Sequence, residues 1–521
     1  MSSVGRRAFL ASVAFGGFAA VLAACSRPPV PSPATTQRPP TAATPPAAPN
    51  WNDLQSRISG RLHLQGTDRY EDAKRVENPR FDGARPLGVL EAATADDVAQ
   101  AVRFAGEAGV PFVVRGGGHG YSGYSSGDVG PAGLAPSLVI DLRGLSGITV
   151  EDSGAAVIGA GASLIQVYDA VGARGRAVAG GSCATVGVAG LTLGGGVGVL
   201  TRAYGLTSDA LRSVELVTAA GDIVTASADE NEDLLWACRG GGGQVGIATS
   251  LTFETVPAPT ITTMFLEWAF TAAVPVILAW QQWAPEADPR LWSTLKLLSG
   301  ARHDGPTIQL TATWTGPSAE LDAQVAGLHE RAGVLPLVNS VEPDRTYRDV
   351  MFTYAGCAGV PVEQCTTGQG GALRREAFSA TSHVPYDLLD ARGAAVLVER
   401  CVLGHRLGAI ETAVSLDALG GAVRGLPASS TGFGHRGAYA TVQYTATYEE
   451  GGDPAPFDEF VRQSRASMVP FWGEGAYFNY SDSALTEPGT AYFGENAQRL
   501  ARIRAAADPA GVFATPAFRT A

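Results

Sequence analysis

Six of the twelve residues from Gly187 to Gly198 are glycine, and no other segment constrains the fold as strongly. Glycine costs about 1 kcal/mol per helical position relative to alanine, so the run reads as loop. It also lets a backbone take positive φ or approach a flat or charged ligand closely. Similar runs occur at Gly116-Gly117-Gly118-His119-Gly120, at Gly180-Gly181-Ser182-Cys183 and from Gly240 to Gly243. His119 and Cys183 thus sit at the ends of glycine loops, where an imidazole and a thiol can each bond to a carbon of one cofactor. A dinucleotide fingerprint fits poorly. That motif needs a strand, GxGxxG and then an uninterrupted helix, whereas Tyr121-Ser122-Gly123-Tyr124 reads as further loop. Several loops offering N–H groups to one diphosphate is the better reading.

The net charge of −12 argues against a nucleic-acid partner. No His/Cys cluster has zinc spacing, so no metal site is expected. An apolar fraction of 45% over 521 residues suits a globular protein of two or three domains. Lys74 and Lys296 are the only lysines among 38 basic residues, a bias that reads as genome composition. Arg6-Arg7 followed by the apolar stretch from Ala11 to Ala24 resembles a twin-arginine export signal, and Leu22-Ala23-Ala24-Cys25 a lipobox. The expectation is a protein exported to the cell envelope and held on the outer side of the cytoplasmic membrane. Its only membrane contact would be a lipid on Cys25, with residues 25–50 as a Pro/Ala/Thr-rich tether. Cys357 and Cys365 form either a disulfide or two free thiols, and Cys238 reads as a buried packing residue.

Along the chain, Thr94 and Asp97 make a capping box for a helix that ends at Gly109. Strands are expected over 110–114, 138–142, 156–160, 214–218, 223–226 and 247–253, with helices over 163–173 and 233–237. Beyond Val256-Pro257 glycine thins. Residues 308–314 and 440–448 alternate as half-buried antiparallel strands. In the latter, Thr441, Gln443, Thr445 and Thr447 form a wholly polar face that should meet water, a partner or a cavity. Helices follow over 318–332 and 495–507.

Taken in order, RGGGHG after a strand, Asp141-Leu142, the loop with Cys183, Thr185, Val186 and Gly187, GGGxG, Tyr204-Gly205-Leu206 and GGGG before a strand closely resemble the FAD-binding domain of berberine-bridge-enzyme-like oxidases, within the vanillyl-alcohol-oxidase superfamily. Ala476-Tyr477-Phe478-Asn479-Tyr480-Ser481-Asp482 looks like the family's A-Y-x-N-Y-x-D. The resemblance implies an α+β fold: a PCMH-type two-part FAD-binding domain plus a substrate domain with an antiparallel sheet backed by helices. Domain limits follow as a signal over 1–24, the tether, a lead-in over 51–81, the FAD domain over 82–257, the substrate domain over 258–470 and a C-terminal segment over 471–521.

The resemblance also implies an enzyme carrying bicovalent FAD, joined through His119 to the flavin 8α-methyl carbon and through Cys183 to C6. Arg115, Gly116, Gly117, Gly118, Ser122, Val186, Gly187, Gly190, Gly198, Ile247 and Asn479 would contact the flavin or its phosphates. The implied reaction oxidises a hydroxyl of a small molecule such as a sugar, alcohol or secondary metabolite. Hydride passes to the flavin, and O2 then takes the electrons to give hydrogen peroxide. The alternatives are a dehydrogenase using another electron acceptor and a flavin-containing binding lipoprotein without turnover. Some relatives carry a glutamate base at the position of Thr441, which cannot serve as one. Tyr480 is therefore the expected base, with Tyr477 and Gln443 orienting the substrate hydroxyl.

Overall fold

The computed structural model describes residues 48–128 and 134–513. The export signal, Cys25 and most of the tether lie outside them. Residues 48–513 belong to one compact unit built on three main sheets. In the first, Arg61–Leu64, Gly88–Glu91, Leu138–Asp141 and Phe112–Arg115 lie side by side, the last three parallel. The residues set apart as a lead-in thus supply an edge strand. The second is antiparallel, in the order Ile148–Val150, Ala155–Gly159, Ile247–Glu254, Leu211–Val217, Ile223–Ala226. Thr94 and Asp97 close the anticipated capping box on the helix Ala95–Ala108, and Gly109 ends it in the left-handed region at φ 64°. The helix Leu164–Gly172 starts at Ser163, whose N–H donates to Gln166.

The third sheet has seven antiparallel strands, in the order Val338–Thr346, Thr260–Trp268, Thr307–Trp314, Leu291–Ser299, Glu411–Ala418, Ala440–Tyr448, Ala377–His383. Its residues alternate between two faces. Leu295, Leu297, Leu416, Val442 and Tyr444 are buried on one face. The helices Ala273–Trp283, Ala391–His405 and Ala455–Trp472 cover that face. Trp280 of the first donates its indole N–H to Ser293 Oγ at 3.0 Å. The other face carries Thr294, Lys296, Ser415, Asp417, Thr441, Gln443 and Ser382, in register across four neighbouring strands. This is the polar face anticipated from residues 440–448. The C-terminal helix Ala497–Ala507 docks back on the Glu232–Cys238 helix, where Arg499 pairs with Asp233 at 2.8 Å.

Candidate active site

The two glycine loops meet backbone to backbone. A Cβ added to Gly117 would lie 2.2 Å from the Gly187 nitrogen, and one on Gly187 would lie 2.3 Å from that of Gly117. Glycine is required at both because the chains touch, and this contact brings His119 beside Thr185. His119 Nε2 lies 2.8 Å from Thr185 Oγ1 and 3.6 Å from a Glu77 carboxylate oxygen, and the Thr185 hydroxyl donates to that same oxygen at 3.5 Å. Burial pushes the imidazole down to about 4, so it is neutral near pH 7. Cys183 has exposed surface on the adjoining loop. Crowding by protein, and then the Glu77 carboxylate, hold its thiol above the ordinary value.

Arg115 does something other than the expected cofactor contact. It is 1% exposed, its Nε donates to Asp141 at 2.9 Å and its Nη1 to the Lys74 carbonyl at 2.9 Å. It anchors the strand that feeds the loop. Gly116 and Gly118 shape the loop, Gly118 at φ 73° with its carbonyl accepting from the Glu77 N–H at 3.1 Å. Ser122 bonds Ser481 through both its N–H and its hydroxyl. Val186 is half-buried and its carbonyl accepts from Leu164.

The Gly187–Gly198 run departs from the loop reading. Val188–Leu193 forms a short helix capped by Gly187. It escapes the glycine penalty because Gly190 is its only interior glycine. A Cβ on Gly190 would meet nothing within 4 Å. Gly198 instead serves close packing: its Cβ would sit 1.7 Å from the Gly180 carbonyl oxygen, and its N–H donates to Thr201 Oγ1. Ile247 is 2% exposed at the head of its strand. Asn479 donates to the Leu191 carbonyl at 3.0 Å and to the Tyr477 hydroxyl at 2.9 Å. That hydroxyl also accepts the N–H groups of Gly196 and Val197, each at 3.0 Å. Tyr477 is buried. Rather than facing outward to orient a substrate, it holds the glycine run, and desolvation pushes its phenol up to about 12.

Tyr480 reaches across to the polar sheet face. Its hydroxyl is 3.5 Å from Asp417 Oδ2, a long contact of the kind that tightens in a substrate complex. Tyr121 stacks on it, ring centroids 5.6 Å apart and planes 2° apart. Gln443 donates its amide to the Tyr121 hydroxyl. Its amide thus engages an aromatic neighbour of Tyr480. Desolvation raises Asp417 above the usual carboxylate range, while Thr294, Lys296 and Tyr480 pull it back. Desolvation, then the Asp417 charge, raise Tyr480 well above an ordinary phenol. Lys296 lies within electrostatic reach of both Asp417 and Cys183. Sequence reasoning missed Glu77, Thr185, Tyr121, Lys296 and Asp417. The alternation of Ser415 and Asp417 with Val414 and Leu416 was an available signal for the last.

Comparison with known proteins places the chain among FAD-linked oxidoreductases. Residues 86–227 match the FAD binding domain family, and residues 476–517 match the "Berberine and berberine like" family. The chain is 30% identical to the FAD-linked oxidoreductase YgaK of Bacillus subtilis over 88% of this chain and 96% of that protein. It is 29% identical to glucooligosaccharide oxidase of Sarocladium strictum over 82% and 86%. Chitooligosaccharide oxidase shares the fold with a TM-score of 0.80 at 24% identity, over 89% of this chain and 98% of the other. The glucooligosaccharide oxidase of Acremonium strictum, described as carrying a 6-S-cysteinyl, 8α-N1-histidyl FAD, superimposes with a TM-score of 0.77 at 24% identity over 89% and 98%. Fold and site together define an FAD-linked oxidoreductase. The chain belongs to the berberine-bridge-enzyme-like family of these flavoproteins.

Proposed function

We propose that this chain oxidises a hydroxyl group of a small molecule, in the first instance a sugar, with FAD held covalently by His119 and Cys183 and reoxidised by O2 to hydrogen peroxide. The observation that carries the reading is the Tyr480–Asp417 pair on the polar sheet face, within electrostatic reach of Cys183. The donor set suits a doubly tethered flavin. His119 is neutral, Cys183 has exposed surface, and added Cβ atoms at Gly120 and Gly190 meet nothing within 4 Å. The oligosaccharide oxidases among the relatives support a sugar substrate.

When bound, FAD supplies the two-electron acceptor for hydride leaving the carbinol carbon. The protein handles the proton. Tyr480 Oη accepts it from the substrate hydroxyl as its own passes to Asp417 Oδ2. This relay spares Tyr480 from standing as a free phenolate, which its desolvated position opposes. Gln443 holds Tyr121 flat against Tyr480, fixing the plane of the phenol. Thr441 Oγ1, beside Asp417 in register, is buried without a partner among the described residues.

Anaerobic mixing with a panel of sugars and alcohols, read as bleaching of flavin absorbance, tests the proposal. At least one substrate bleaches the wild type, and Tyr480→Phe slows that bleaching by about 100-fold or more while keeping its flavin. No bleaching by any hydroxyl compound, or a Tyr480→Phe rate equal to wild type, refutes it.

A further inference from the structure

His119 is not simply an imidazole beside a loop. Its Nε2 is 2.8 Å from Thr185 Oγ1, and that hydroxyl donates onward to Glu77 at 3.5 Å. Glu77 is fixed from three further directions. Its N–H donates to the Gly118 carbonyl at 3.1 Å, Thr367 donates to its carboxylate at 3.1 Å, and Arg375 donates to its backbone carbonyl at 3.2 Å. Thr185 sits two residues after Cys183, so both attachment loops converge on this one carboxylate. With the Thr185 hydroxyl donating to Glu77, Nε2 faces an acceptor, and the arrangement favours the tautomer with hydrogen on Nε2 and the lone pair on Nδ1. The oxidation chemistry proposed above uses neither Glu77 nor Thr185.

We propose that Glu77, acting through Thr185, drives the self-attachment of FAD to His119. This rests on the reading that His119 is one of the two tethers. One 8α-methyl hydrogen leaves as a proton, which makes the 8α carbon electrophilic; the Nδ1 lone pair then bonds to that carbon and an electron pair passes to the ring system. The Nε2 proton, acidified as the ring becomes cationic, moves to Thr185 Oγ1 while the Thr185 proton moves to the Glu77 carboxylate. The two electrons released stay on the ring system until O2 removes them with the two protons as hydrogen peroxide, so FAD, His119 and O2 yield the tethered flavin and one H2O2. The Glu77 charge opposes a thiolate at Cys183, so loss of that charge slows only the imidazole bond.

The test uses the full chain produced under riboflavin limitation, then given FAD in air. Covalent incorporation is followed by intact mass and by in-gel flavin fluorescence, with noncovalent FAD binding measured alongside. In a Cys183→Ala background only the imidazole bond forms, and there Glu77→Gln slows attachment about 100-fold. Thr185→Val slows it as well, and Glu77→Asp keeps part of the rate. In a His119→Ala background Glu77→Gln leaves thioether attachment as fast or faster. Equal slowing in both backgrounds means a purely structural role and overturns the proposal, as does an unchanged rate with Cys183→Ala. A Cys183→Ala chain with native Glu77 that never acquires covalent FAD overturns the histidyl tether and the proposal together. A chain that is tethered normally but indifferent to Glu77→Gln overturns this inference alone.

Discussion

Asp417 and Tyr480 show how little of a residue's chemistry belongs to the residue. Both are ordinary side chains that desolvation drives toward their neutral forms, and each raises the case for a shared proton. A relay that ends on Asp417 works only when that carboxyl is ionised. The rate of anaerobic flavin reduction should therefore rise with pH through a limb lying above the usual carboxylate range. Asp417→Asn should lower the plateau by about 10- to 100-fold and flatten that limb, measurable by stopped-flow reduction across pH. A limb that survives unchanged in Asp417→Asn would remove Asp417 from the relay.

At the scale of elements, glycines that look alike in sequence divide into two kinds. Gly117 has no room for a side chain because the Gly187 backbone occupies the space, whereas Gly190 faces open space from within a helix. Gly117→Ala should cost about 3 kcal/mol by overpacking and should also block flavin incorporation. Gly190→Ala should leave the flavin-free chain as stable or up to about 1 kcal/mol more so, from helix propensity, yet weaken incorporation. Thermal melting with and without FAD separates the two. The same contrast explains what sequence could reveal. His119, Cys183 and Tyr480 stood in local motifs, and the Ala95–Ala108 helix carried its own caps, so all were legible. The short Val188–Leu193 helix was not, because its flanking glycines are caps and only Gly190 lies inside it, a division invisible in the glycine content of the whole run. Asp417 and Lys296 acquire meaning only through register, where Thr294, Asp417 and Thr441 from three neighbouring strands fall in one row and Lys296, Ser415 and Gln443 in the next. Glu77 belongs to the lead-in segment 51–81, which precedes the FAD domain in sequence yet bonds the histidine loop at Gly118 and the cysteine loop at Thr185.

For the whole molecule, one buried arginine joins the glycine run to the sheet. Arg202, 0% exposed, donates to the carbonyls of Leu291 at 2.7 Å and Ala287 at 2.6 Å, and also to that of Leu419. Leu291 begins the strand of Thr294 and Lys296, and Leu419 follows Asp417 by two residues. Arg202→Met leaves these carbonyls without donors and should cost about 3 kcal/mol, seen as a lower urea midpoint. A midpoint equal to wild type would show that Arg202 is not a brace. Through such contacts the segment after the glycine run is held against the strands that carry Thr294, Lys296 and Asp417.

The proposed chemistry requires a flavin bonded to the chain at His119 and Cys183. Proteolysis of acid-precipitated full-length protein followed by mass spectrometry measures this directly. The prediction is a flavin joining the peptide that contains His119 to the one that contains Cys183, with none released to the supernatant. Flavin recovered wholly in the supernatant, with both peptides at their unmodified masses, would contradict it.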